Sequence, residues 1–203
     1  LAIAVWLTEA IGRLHATGLV HRDIKPGNIL VSEREGRVRL IGFGIASRLP
    51  RERQSPDPPE LIAGTLAYMA PEQTGRMNRS VDSRSDLYSL GVVLYRMATG
   101  MLPFTASDAM DWVHSHIARA PVPPCDRVAG IPRPISDIVM RLLAKTPESR
   151  YRTANGVMHD LRHCLAMLER GEEPGAFPLG AHDHQDRLLI PEELYGRERE
   201  VGQ

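Results

Sequence analysis

The densest set of chemistry-bearing side chains is His21-Arg22-Asp23-Ile24-Lys25-Pro26-Gly27-Asn28, which gathers a carboxylate, an ammonium and an amide in one short stretch. A carboxylate can accept a proton, an ammonium can balance negative charge, and an amide oxygen can hold a hard cation. Asp, Pro, Gly and Asn also make turns, so the stretch alone leaves open a simple connection between a helix and a strand. Further along stand Gly42-Phe43-Gly44, then Gly64-Thr65-Leu66-Ala67-Tyr68-Met69-Ala70-Pro71-Glu72, then Asp86, and finally Arg150 within Pro147-Glu148-Ser149-Arg150-Tyr151-Arg152-Thr153-Ala154. Two histidine groups are weaker signals. His159 and His163 share the i, i+4 spacing of zinc proteases, but Asp160 is a methylene shorter than the glutamate base such sites need, and no third ligand is evident. A solvated helix face is expected there, and His182-Asp183-His184 reads as a chance polar cluster in a linker.

The elements that must position these residues are legible from periodicity. Ile3, Leu7, Ile11 and Leu14 repeat at helical spacing up to a stop at Gly18. Ile29 to Val31 and Val38 to Ile41, separated by Ser32-Glu33-Arg34-Glu35-Gly36, predict a small hairpin. From Gly42 to about Thr74, Pro, Gly and Ser are dense enough to predict a long extended segment, and segments of that length are usually functional or disordered. Ser83-Arg84-Ser85-Asp86 has the form of a capping box, ahead of a helix running through Leu87, Leu90, Leu94 and Met97 to Gly100 that is apolar on several faces and therefore buried. Further helices are predicted at about Ser107 to Arg119, Pro134 to Ala144 and Thr153 to Glu169, with Trp112 in core or interface. Residues 170–187 read as a linker, and 188–203 regain the look of a structured segment.

Composition sets the class. The 203 residues are 42% hydrophobic, with 25 basic against 25 acidic side chains, the profile of a globular chain with one sizeable core. Zero net charge argues against a nucleic-acid or anionic-membrane partner, since either favours a basic surplus. Two isolated cysteines, Cys125 and Cys164, argue against a disulfide framework and fit a reducing, cytoplasmic compartment. No apolar run is long enough to span a bilayer.

Taken together and in this order, the motifs resemble those of Ser/Thr protein kinases over about residues 1–168. The resemblance implies a mainly α fold: the large C-terminal lobe of a kinase with a small β-hairpin, spanning residues 1–169. It implies ATP and magnesium as cofactors and a protein substrate. It makes Asp23 the catalytic base, Lys25 the cation beside the transferring phosphoryl group, and Asn28 a magnesium ligand. Thr65 corresponds to the threonine that bonds to the catalytic aspartate and lysine. His21 and Arg22 belong to the same loop, and Phe43 and Gly44 to the metal motif. Asp86 corresponds to the aspartate that anchors the catalytic loop, and Arg150 to the arginine that pairs with Glu72 of Ala70-Pro71-Glu72. A phosphate on the long segment would find Arg22 as a cationic partner, although Ser47 and Ser55 read by default as loop residues.

The sequence departs from the family in two places. The Gly-rich loop, strand lysine and helix glutamate of the family lie upstream of the first helix seen here, so the N-terminal lobe is expected to be absent from this chain. Gly42 stands where the family has the aspartate of Asp-Phe-Gly, and loss of a charged metal ligand is expected to remove about 3–5 kcal/mol of transition-state stabilisation, roughly 10²- to 10⁴-fold in rate. A pseudokinase that binds and regulates is the competing expectation. The stretch Leu188 to Val201 resembles the start of the ATPase domain that follows the kinase in large bacterial signalling proteins with a downstream sensor histidine kinase.

Overall fold

A computed structural model describes residues 1–48, 66–77 and 79–184. Its first helix, α1 (Ala2–Ala16), buries Leu7 and Ile11 completely, and the chain leaves it through Gly18 at φ +78°. Two short antiparallel ribbons follow. Strand β1 (Leu19–Val20) pairs with β4 (Ser47–Arg48), and β2 (Ile29–Ser32) pairs with β3 (Arg37–Leu40) in a register that sets Ile29 opposite Leu40 and Ser32 opposite Arg37. The loop that carries the chemistry-bearing residues therefore runs between one strand of each ribbon, and a single 3₁₀ turn, Pro26–Asn28, shapes its far end.

Helix α2 (Ser83–Thr99) is the centre of the molecule, with an unbroken buried run from Ser85 to Tyr95. Gly91 permits this: a Cβ there would lie 2.7 Å from Leu142 Cβ, so the glycine lets α2 approach α5 (Arg133–Leu142) closely. The start of α2 corrects one expectation. Asp82, not Ser83, caps the helix, its carboxylate accepting from the Arg84 amide at 2.8 Å, and Asp86 accepts from the His21 and Arg22 amides instead of capping. A carboxylate one residue earlier already satisfies the first-turn amide, which frees Asp86 for other donors. Gly100, at φ +73°, ends the helix and returns its amide to Arg96.

Helices α3 (Ala109–Ala118), α4 (Pro124–Arg127) and α6 (Ala154–Glu169) complete the lobe, with α6 packed along α1 and against α5. The fold is mainly α with small β ribbons, as the periodicity implies. Residues 171–184, linker-like in composition, are held down on the lobe. Asp183 accepts from the Arg152 and Thr153 amides at 2.6 and 2.9 Å, just ahead of α6. Asp160 accepts from the Gly180 amide at 2.7 Å, Arg141 donates to the Leu179 carbonyl, and Phe177 and Leu179 pack against the core. Of the two histidine groups, His159 lies against His182 with the rings tilted, and His163 meets Phe177 edge-on. Among the described residues no group of three or more His, Cys, Asp or Glu side chains could hold a metal ion.

Candidate active site

Asp86 lies in the first turn of α2, fully buried, and its carboxylate accepts three hydrogen bonds. The amides of His21 and Arg22 donate at 2.8 and 2.7 Å, and His15 Nε2, from the last turn of α1, lies 2.9 Å away. These bonds hold a bend that the chain would not choose unaided. Among the described residues Arg22 is the one non-glycine with positive φ, at +69°, a conformation that costs about 1–2 kcal/mol.

His21 braces the loop from below. Its buried ring accepts from the Asp23 amide at Nδ1 (3.3 Å) and donates from Nε2 to the Ile41 carbonyl (2.9 Å). Nδ1 must then be the unprotonated nitrogen, so this network selects the neutral Nε2–H tautomer. Phe43 lies against the same ring with centroids 4.7 Å apart and is itself 47% exposed. Gly44 sits in the 3₁₀ turn Phe43–Ile45.

The loop presents Asp23 with its two carboxylate oxygens in different states. Oδ2 accepts from Lys25 Nζ and from Asn28 Nδ2, both at 2.8 Å, while Asn28 Nδ2 also donates to the Asp23 carbonyl at 2.8 Å. Oδ1 is buried and has no hydrogen-bond partner among the described residues. A buried acceptor left open is costly unless a donor arrives, so the arrangement is built to receive one, such as a hydroxyl. Lys25 and Asn28 thereby compensate the charge on one oxygen and leave the other unpartnered among the described residues.

Asn28 and Gly42 meet on the other side of the loop. Gly42 is left-handed, φ +82°, and a Cβ there would lie 2.5 Å from Asn28 Oδ1 and 2.7 Å from Nδ2. Only a residue without a side chain fits this backbone beside Asn28 as it stands.

Glu72 and Arg150 form a buried pair that ties the segment at 66–77 to the body. Arg150 Nη1 and Nη2 grip the two Glu72 oxygens at 2.7 and 2.9 Å, both side chains at 0% exposure, and Ser85 Oγ adds a donor at 2.7 Å. The remaining guanidinium protons reach the carbonyls of Arg84, Ala144 and Lys145, and the plane lies over the Tyr88 ring. Every charge is thus met, which a buried pair requires. Thr65, expected beside Asp23 and Lys25, lies outside the described residues, as do Ser55 and the stretch Leu188 to Val201.

Sequence reasoning passed over His15 and Gln73. Gln73, immediately after the Ala-Pro-Glu triplet, donates from Nε2 to the Arg22 carbonyl at 2.8 Å. His15 carried no signal beyond its place in the last turn of α1. A second omission is a buried polar cluster around His116. Its Nδ1 lies 2.9 Å from the Tyr88 hydroxyl, and burial, with Lys145 nearby, depresses its pKa to about 4. Lys145 donates to the Ser115 and His116 carbonyls and lies over Phe104, and burial lowers its pKa to about 8.

A match to the protein kinase domain family covers residues 2–161. The chain is 38% identical over 168 residues to the serine/threonine-protein kinase PknB of Mycobacterium tuberculosis, covering 83% of this chain and 26% of that protein. It is 38% identical over 159 residues to a probable PknB of Bifidobacterium longum (78% of this chain, 23% of the relative). To a probable serine/threonine-protein kinase of Clostridium perfringens it is 36% identical over 161 residues (79% and 23%). The chain spans about a quarter of the length of these curated relatives. With the loop, the anchoring aspartate and the buried ion pair in place, the chain belongs to the protein kinase family, among its Ser/Thr members.

Proposed function

We propose that this chain is the large lobe, residues 1–169, of a bacterial signalling protein that transfers a phosphoryl group from ATP to a Ser or Thr hydroxyl of a protein. The observation that carries the reading is Asp23, with Oδ2 occupied by Lys25 and Asn28 and Oδ1 buried without a partner among the described residues. In the transfer, the substrate hydroxyl donates to Oδ1 and its oxygen forms a bond to the terminal phosphorus. The bond from that phosphorus to the bridging oxygen breaks, ADP leaves, and the proton passes to Asp23. Lys25 balances the negative charge beside the reacting atoms. Residues 64–72 are proposed to border the hydroxyl site, and Thr65 takes the role that the resemblance gives it.

Protein kinases use ATP with magnesium, and this chain's residues do not fit the family's metal site. Magnesium is usually held by one or two carboxylates together with phosphate oxygens. Gly42 supplies no side-chain oxygen, and a Cβ there would run into the Asn28 amide, which leaves the Asn28 amide oxygen as the side-chain donor at that point. No step above depends on the metal. The mismatch favours a second reading, a pseudokinase module that regulates the domains fused to it.

The protein's extent is part of the proposal. Residues 170–187 lead to a following domain that begins near Leu188 and is an ATPase by its resemblance, with a sensor domain beyond. Among the described residues no helix is long and apolar enough to cross a membrane, and a cytoplasmic location is proposed. The test uses the intact protein containing this chain, labelled ATP and a generic protein substrate. Phosphorylation of Ser or Thr that drops by about 10²- to 10⁴-fold in Asp23→Asn supports the enzyme. No transfer by the wild type supports the regulatory module.

A further inference from the structure

The Arg22–Asp23 peptide group orients the carboxylate on which the proposed reaction turns, and it is gripped on both faces. Its N–H, on Asp23, donates to His21 Nδ1 at 3.3 Å. Its carbonyl, on Arg22, accepts from Gln73 Nε2 at 2.8 Å. The preceding peptide group is fixed as well, since the Arg22 amide donates to Asp86 Oδ1 at 2.7 Å. Between these two groups lies the positive φ of Arg22. Rotation of either one would relax that strain and swing Asp23 away from Lys25 and Asn28.

Gln73 is placed for this by its own segment. It stands in the 3₁₀ turn Pro71–Thr74, whose Glu72 is anchored by Arg150, and its Oε1 accepts from the Ala70 amide at 3.1 Å. Both amide ends are used, and only this orientation puts a donor against the Arg22 carbonyl and an acceptor against the Ala70 N–H. The segment that would border a protein substrate and the loop that holds the base are thus joined through one side chain.

We infer that Gln73 is a positioning residue for phosphoryl transfer: it locks the Arg22–Asp23 peptide group and transmits the setting of the 66–77 segment to the base. The inference rests on the reading of Asp23 as the base, but its structural core is testable without turnover. Gln73→Glu keeps the bond from Ala70 and loses the donor to Arg22, whereas Gln73→Met loses both at similar volume. In the intact protein, backbone hydrogen exchange at residues 21–24 is expected to rise about tenfold in both variants, the scale of one lost hydrogen bond. Protection in α2 and α5 is expected to stay unchanged. Where the wild type transfers phosphate, Gln73→Glu is expected to lower kcat about tenfold and leave KM for ATP unchanged. Unchanged protection at 21–24 in Gln73→Glu overturns the inference, and so does equal loss of protection in α2 and α5, which would make Gln73 an ordinary packing residue. A wild type without transfer activity sinks the kinase reading alone, because exchange at 21–24 still decides whether Gln73 holds the peptide group.

Discussion

Single residues carry two separate loads in this lobe, one conformational and one electrostatic. Gly42 carries the first. It adopts a left-handed backbone and leaves no room for a Cβ beside Asn28, so Gly42→Ala is expected to cost about 1–2 kcal/mol. Urea denaturation of wild type and variant measures this, and equal midpoints would show that the backbone at 42 leaves the left-handed conformation without cost. Glu72 carries the second load. Removing it leaves the Arg150 guanidinium buried with carbonyls but no counter-charge, so Glu72→Ala is expected to cost about 3–5 kcal/mol. A double variant, Glu72→Leu with Arg150→Met, is expected to recover most of that loss in the same assay. A double variant no more stable than the single one would show that shape, rather than charge, holds the contact.

Among the elements, α6 and the chain after it form a unit that composition hides. Thr153 caps α6 through the Gly156 amide at 3.1 Å, and Asp183 reaches back to the amides just before the helix and to the Thr153 hydroxyl at 2.9 Å. A carboxylate at a helix N-terminus satisfies open donors and meets the positive end of the helix dipole. The helix provides the space, since a Cβ on Gly156 would lie 2.6 Å from Asp183. Asp183→Ala is therefore expected to lower stability by about 1–2 kcal/mol, as loss of a helix cap does. It is also expected to speed proteolytic cleavage within 171–184 while α2 keeps its protection. An unchanged cleavage rate would mean that Phe177 and Leu179 alone hold the strap.

At the scale of the whole molecule, His116 links stability to pH. It is buried between α2 and α3, against Tyr88, Phe104 and Trp112, with Lys145 close by. Its folded pKa of about 4 lies below the ordinary 6.5. As pH falls through 6.5 the unfolded chain therefore takes up a proton before the folded one, and stability present above pH 6.5 is lost progressively down to about 4. That difference corresponds to about 3 kcal/mol. Thermal melts between pH 7.5 and 4.5 are expected to show this slope in the wild type and a shallower one in His116→Gln, and identical slopes would assign the pH dependence elsewhere. Much of this molecule is legible in its sequence. The helical spacing of Ile3, Leu7 and Ile11, the apolar faces of α2 and the glycines at 18 and 100 specify a mainly helical body, because these are local signals set by backbone sterics and by which faces must leave water, while the ordered motifs carry the resemblance to protein kinases. That resemblance also marks Asp23, Lys25, Asn28, Asp86, Glu72 and Arg150. The sequence does not reveal which oxygen of Asp23 is left open, that Asp82 rather than Ser83 caps α2, that Gln73 grips the Arg22 carbonyl, or that Asp183 folds back onto α6. Those depend on which donors and acceptors meet across long stretches of chain, 51 positions apart for Gln73 and Arg22 and 31 for Asp183 and Arg152. Hydrogen bonding is short-ranged and directional, so only the packed tertiary structure decides such pairings.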